Sequence, residues 1–184
     1  SDLERVKKAV EDILRDSERT LRRARERLKR LLEELRRTSE EDKKSTDEIL
    51  ERLKRELEKL PPDRKLERLD DLIRRLVKRN KEINDRVNEV VERMMREAED
   101  RLRRDKERND RVVREAEEII RRVTDRDELR KLLEEIRRRA EESKRHIEEV
   151  LKRLEEIVKR LKEELKRSND EIREIVRRLE EELK

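Results

Sequence analysis

An all-α fold, an antiparallel up-down-up three-helix bundle of the coiled-coil kind, is predicted by three observations. Apolar residues recur at helical spacing along the whole chain, glycine is absent, and two breaks cut the 184 residues into nearly equal parts. The strong break is Pro61-Pro62-Asp63, where proline pushes Leu60 away from helix and Pro62 suits a first helical turn. The weaker one is Val123-Thr124-Asp125-Arg126-Asp127, where Thr124 and Asp127 occupy the N-cap and N3 positions of a capping-box-like pattern. The expected helices are about 2–60, 63–123 and 125–184, roughly 58 residues each, in a single domain spanning 1–184. At 1.5 Å per residue each is about 90 Å long.

The first helix is justified by a stripe through Leu3, Val6, Val10, Ile13, Ser17, Thr20, Ala24, Leu28, Leu31, Leu35, Thr38, Asp42, Ser45, Ile49, Leu53, Leu57 and Leu60, which is 57 residues in 16 steps, or 3.56 per step. The second stripe, from Leu66 through Leu76, Asn80, Asn84, Val87, Val91, Met94, Asp105, Asn109 and Ile119 to Val123, has the same period. The third runs from Leu129 through Ile136, Ser143, Ile147, Ile157, Leu165, Ser168 and Ile175 to Leu183. A period between a heptad's 3.5 and a straight helix's 3.6 calls for weak supercoiling or almost none. Leu14, Leu21, Leu32, Leu50, Ile120, Leu133, Leu151 and Val158 widen the stripes on one side, as a helix facing two neighbours requires. The opposite faces are charged. Glutamate four residues before arginine recurs (Glu11 to Arg15, Glu26 to Arg30, Glu48 to Arg52, Glu149 to Arg153) and is expected to add local ion pairs.

Composition excludes more than it specifies. Charged residues make up 60% of the chain, but 58 Lys and Arg stand against 53 Asp and Glu, and the periodic apolar positions argue against disorder. With no aromatic residue there is no base-stacking platform and no aromatic cage; with no cysteine there is no disulfide, thiolate nucleophile or zinc–thiolate site. No apolar run exceeds two residues, so neither a membrane span nor a signal-peptide core is expected.

The sixteen uncharged polar residues are the most informative feature. Ser1 and Thr124 stand at expected helix starts; the other fourteen lie inside helices. With loops near 62 and 125, position x of helix one is level with about 124 − x in helix two and about x + 126 in helix three. The polar residues then collect in two bands. One holds Ser17, Thr20, Asp105, Asn109, Ser143 and His146; the other holds Thr38, Asp42, Ser45, Thr46, Asn80, Asn84, Asn88, Ser168 and Asn169, with Ser39 at its edge. Two buried hydrogen-bonded layers, fed by all three helices, are expected. An unpaired buried polar group costs about 1–3 kcal/mol, so such layers penalise slipped registers. Thr38-Ser39-Glu40-Glu41, Ser45-Thr46-Asp47-Glu48 and Ser168-Asn169-Asp170-Glu171 also resemble capping boxes, and breaks there would give a four-helix bundle of shorter helices. None contains glycine or proline and the stripe keeps its phase through each, so continuous helices are expected.

No catalytic, cofactor-binding or metal residue is expected. His146 is the only histidine and has no Glu-x-x-His partner set, so its expected place is in or beside a polar layer, where burial as the neutral form would make that layer sensitive to acid. Asp42 and Asp105 lie on the stripes and are expected to accept hydrogen bonds rather than act as bases. Walker, dinucleotide-fold and EF-hand patterns all need glycine. The net charge of +5 and the basic run Arg19 to Arg30 are the best argument for a nucleic-acid or acidic-lipid partner. Because both signs interleave elsewhere, a solvated mixed-charge face is the expectation, with no nucleic acid, no membrane and no required partner.

The start Ser1-Asp2, the lack of Gly, Cys, Gln and aromatic residues, the redundant Leu-Glu-Arg-Lys vocabulary, the short loops at 60–63 and 123–127, and polar positions such as Asn80, Asn84, Asn109 and His146 together resemble computationally designed de novo helical bundles with buried hydrogen-bond networks. The resemblance covers the whole chain. It departs in one respect: such networks often use glutamine, tyrosine or tryptophan, and here there is none. What it implies is a scaffold without evolved activity. A monomer is expected; the alternative is an interaction module, such as a domain-swapped dimer, a homo- or hetero-oligomeric bundle subunit or a switch.

Overall fold

The computed structural model describes residues 2–63, 67–123 and 125–183. The fold is a three-helix bundle of α1 (Asp2–Glu58), α2 (Glu67–Arg122) and α3 (Arg126–Leu183). α1 runs unbroken through residues 38–48, so the serine- and threonine-led segments there are helix interior and start no new helix. No described residue has positive φ, as a glycine-free chain requires.

The ends differ from the expected ones by a few residues. α1 stops at Glu58, and Leu60 N–H closes a tight turn onto the Leu57 carbonyl at 3.2 Å. Pro62 and Asp63 lie in a turn, not in the first turn of α2. At the second junction the cap is Asp125: its Oδ1 accepts from Asp127 N–H at 3.1 Å, and its carbonyl accepts the first helical bond from Leu129 at 3.2 Å. That geometry makes Asp125 the N-cap and Asp127 the second helical residue, one position out of step with the expected box. Ser1, Leu66 and Thr124 lie outside the described residues. Acidic residues in the first turn (Asp127 and Glu128 of α3, Glu67 and Asp70 of α2) and Arg121 and Arg122 at the end of α2 complement the helix dipoles.

Packing divides the chain into two compact units, each drawing on all three helices. Unit 1 comprises Ser1–Arg30 and Met94–Glu155; unit 2 comprises Leu31–Arg93 and Glu156–Lys184. In unit 1, Val6 and Val10 of α1, Ala116 and Ile120 of α2 and Leu129 and Ile136 of α3 form one apolar cluster. In unit 2 the cluster is Leu50, Leu53 and Leu57 with Ile73 and Leu76 and with Ile172, Val176 and Leu179. Each fully buried leucine or isoleucine contributes about 1.5–3 kcal/mol.

Register is read from side-chain pairs. In unit 1, Arg25 binds Glu99 and Asp16 binds Lys144. In unit 2 the α1–α2 pairs Ser39–Asn84 and Lys43–Asn80 share a sum of 123, so those helices are antiparallel there. Apart from Thr46–Asn169, at 123, the α1–α3 pairs Glu34–Lys162, Ser45–Arg173 and Arg52–Glu180 share an offset of 128, so those run the same way. The offset of 128 lies two residues from the one read off the loops. Within unit 2 the α1–α3 pairs step from Glu34–Lys162 to Ser45–Arg173 to Arg52–Glu180, or 18 residues in all. Eighteen residues are five turns of an unstrained α-helix at 3.6 per turn, so these faces stay together without heptad underwinding.

The inward phase corrects the stripes at several points. At four adjacent pairs the second residue is buried: Leu32, Leu50, Ile120 and Val158 are core, while Ile119 and Ile157 are each 41% exposed; at Ile13–Leu14, Thr20–Leu21, Leu132–Leu133 and Val150–Leu151 both residues are half-buried. Adjacent residues sit 100° apart on a helix, and a period averaged over sixteen turns does not choose between them. The four Glu-to-Arg pairs are corrected too: none is within ion-pair distance among the described residues, and Arg52 binds Glu180 of α3 instead.

Candidate functional site

The band in unit 2 is built on α1. Leu35 and Leu50 point inward, and between them a helical step of three to four residues brings in Ser39, the Asp42-Lys43 region and Thr46. Ser39 is 1% exposed and its hydroxyl donates to Asn84 Oδ1 of α2 at 2.8 Å. Thr46 has no exposed surface and its hydroxyl donates to Asn169 Oδ1 of α3 at 3.4 Å, long for such a bond. Asn80, also buried, divides its amide between the Lys43 carbonyl (3.0 Å) and Asp47 Oδ1 (2.9 Å), while Lys43 Nζ donates to Asp47 Oδ2 at 2.8 Å. At the rim, Arg173 donates to the Ser45 hydroxyl at 3.1 Å and Arg79 to Glu171 at 2.9 Å.

Asp42 is half-buried beside this set. Burial pushes its carboxyl above the ordinary value of 3.8; the Arg173 guanidinium and a hydrogen bond from Asn169 pull the other way, and Glu41 and Asp170 add to the rise. Two atoms remain unsatisfied: Asn88 Oδ1 and Ser168 Oγ are buried without a partner, each costing about 1–3 kcal/mol.

Hydrogen bonds in unit 2 therefore join α1 to α2 and α1 to α3, with Ser39 inside rather than at the edge, and with Asp47 and the Lys43 carbonyl as members that the uncharged polar residues did not single out. Thr38 is half-buried on the flank, because Ser39 takes the inward phase. The line Leu35, Ser39, Thr46, Leu50 is no more regular in spacing than Leu35, Thr38, Ser45, Ile49, so spacing did not choose between them.

In unit 1 the polar residues are arranged differently. Ser17 and Asp105 are buried, Asn109 and Ser143 are half-buried, and His146 is exposed. The Thr20 hydroxyl turns back onto its own helix, donating to the Asp16 carbonyl at 2.8 Å, so it is not available across the bundle. Asp105 Oδ1 is 3.9 Å from Arg108, and Asn109 Nδ2 is buried without a partner. Asp105, Asn109, Val112, Glu142, Ser143 and His146 line a cleft of about 380 Å³ between α2 and α3. A cross-helix tie beside it is Lys144 to Asp16; the hydrogen bond that Lys144 donates to that carboxylate raises the Lys144 pKa above its ordinary value. His146 lines this cleft but is exposed, not buried.

The cleft is lined by Glu142, Ser143 and His146 of α3; among the described residues no hydrogen bond joins Ser143 to His146. No group of three His, Asp or Glu among the described residues is placed to hold a metal ion. No described helix is long and apolar enough to cross a membrane. Comparison with protein-family models, with curated proteins and with solved structures finds no match.

Proposed function

We propose that the chain is a structural scaffold of designed origin, acting alone and without catalytic activity, in which polar side chains set among leucines choose helix pairing and register. The observation that carries this reading is the placing of Ser39 and Thr46, two of the least exposed side chains, between Leu35 and Leu50, each bonded to an asparagine of a different helix. Apolar residues at both members of each pair, Ser39 with Asn84 and Thr46 with Asn169, would bury more hydrocarbon and hold the fold at least as tightly, since replacing a buried polar set by packed apolar residues is often neutral or stabilising. What they would lose is discrimination. In a slipped register Ser39 or Asn80 faces leucine and its polar atoms go unpaired, at about 1–3 kcal/mol each.

The test is a variant in which both members of each pair are made apolar: Ser39→Ala with Asn84→Leu, and Thr46→Val with Asn169→Leu. Its melting temperature is expected to equal or exceed that of the parent, while its amide NMR spectrum shows more than one set of peaks. One set of sharp peaks would remove the register role. Light scattering of the parent is expected to give the mass of one 22.9 kDa chain; twice that value would replace the scaffold reading with an interaction module.

A further inference from the structure

We propose that the outward face of α1 in unit 1 is a docking surface for the phosphate backbone of double-stranded nucleic acid. Arg15, Arg19, Arg22, Arg23, Glu26 and Arg30 stand at i, i+4, i+7, i+8, i+11 and i+15, which at 100° per residue is one narrow stripe about 22 Å long. The stripe lies opposite the inward line of Ser17, Ala24 and Leu28, and all six of its residues are exposed.

Composition over 19–30 reads as a solvated face of mixed charge. Ion pairing does not single this face out, because most exposed arginines among the described residues have no ion pair; what does is that five of the six residues on one exposed line are cations. Among the described residues none of the five is in an ion pair, whereas the arginines on its flank are engaged: Arg25 with Glu99 and Arg27 with Glu155. Arg177, by contrast, is neutralised on open surface by both Glu174 and Glu181. Of the acidic residues beside the stripe, Asp16 is held by Lys144, while Glu11 and Glu18 each stand four residues before one of its arginines. Five arginines against Glu26 leave a charge of +4 on this face. The segments of unit 1 contain 31 Lys and Arg against 26 Asp and Glu, which is the whole of the chain's +5, while unit 2 has 27 of each.

The chemistry of the face selects its occupant. Every cation in the stripe is a guanidinium, whose planar fork matches phosphate oxygens in pairs. A lipid surface needs an exposed apolar anchor beside the cations, and in this segment Ala24 and Leu28 are buried and Leu21 half-buried. Single strands need aromatic rings to stack on, and the chain has none. A duplex offers closely spaced phosphates and asks for neither. Binding is then independent of base sequence and falls steeply with salt.

Fluorescence anisotropy of a short labelled duplex DNA tests this. Five phosphate contacts predict a slope of about −4.5 for the logarithm of affinity against the logarithm of salt, or about a 500-fold loss between 50 and 200 mM. The variant R15Q/R19Q/R22Q/R23Q/R30Q, checked for unchanged helicity and melting, is expected to lose at least about 100-fold in affinity at low salt together with most of the slope. A variant of equal charge change in unit 2, R74Q/R75Q/K78Q/R86Q/R93Q, is expected to stay within about twofold, because that segment also carries Glu82, Asp85, Glu89 and Glu92. Equal losses in the two variants, an unchanged affinity in the first, no salt dependence, or tighter binding to single-stranded DNA or to phosphatidylserine-containing vesicles than to the duplex would overturn the proposal.

Discussion

Thr46 of α1 and Asn169 of α3 meet in the interior of unit 2, the threonine hydroxyl donating to the amide oxygen at 3.4 Å with no surface of Thr46 open to solvent. At that length the bond itself is weak, but both groups are out of water, so losing the donor strands Asn169 Oδ1. Thr46→Val keeps the shape and removes the hydroxyl. It is expected to destabilise the chain by about 1 kcal/mol in urea denaturation. A stabilised variant would mean that this contact imposes a cost even when paired.

Ser39 and Thr38 separate the inward phase from its neighbour. Ser39→Ala removes the donor to Asn84 at a buried site and should cost about 1 kcal/mol, whereas Thr38→Ala on the flank should stay within about 0.5 kcal/mol. Denaturation midpoints of the two single variants decide it, and the reverse order would put Thr38 inside.

That pair also shows what could be read from sequence. Pro61-Pro62 has no backbone donors, so the first junction was visible, and polar residues in an otherwise apolar line marked the heights of both bands. The phase within each adjacent pair was not visible. Thr38 and Ser39, Ser45 and Thr46, and Ile119 and Ile120 are each chemically alike, and the choice between them depends on how far the facing helices have turned at that level. His146 was hidden for a related reason: its neighbour Ile147 takes the core position, 4% exposed, and leaves the imidazole outside.

Asn109 and Asn80 are expected to respond in opposite directions. Asn109 Nδ2 is buried with no acceptor, so Asn109→Leu should stabilise the chain by about 1–2 kcal/mol; Asn80 spends its amide on the Lys43 carbonyl and Asp47, so Asn80→Leu should cost about as much. Thermal melts of both variants check the contrast. A loss at Asn109 equal to that at Asn80 would show that the polar atoms of unit 1 are as well paired as those of unit 2.

Asp42 gives a signed pH dependence. Its folded carboxyl lies above 3.8 because of burial, so the folded chain takes up the proton first as pH falls, and the contribution of this residue to stability increases from the raised value down to 3.8. Above that window the carboxylate carries its full desolvation penalty. Asp42→Asn should therefore be more stable than the parent at pH 7, with the difference shrinking towards zero below 3.8. Denaturation midpoints across pH measure it; a difference that does not change with pH would contradict the assignment.

Register is the central claim, and spin-label distances report it most directly. The chain has no cysteine, so nitroxides on Glu41→Cys of α1 and Lys166→Cys of α3, both exposed in unit 2, go only where they are placed. In the parent background one narrow distance distribution is predicted. With Ser39→Ala, Asn84→Leu, Thr46→Val and Asn169→Leu added, a second population is predicted, displaced along the helix by about 10 Å, the length of two turns. A single unchanged distance in that background would contradict the account, because leucine packing alone would then choose the register.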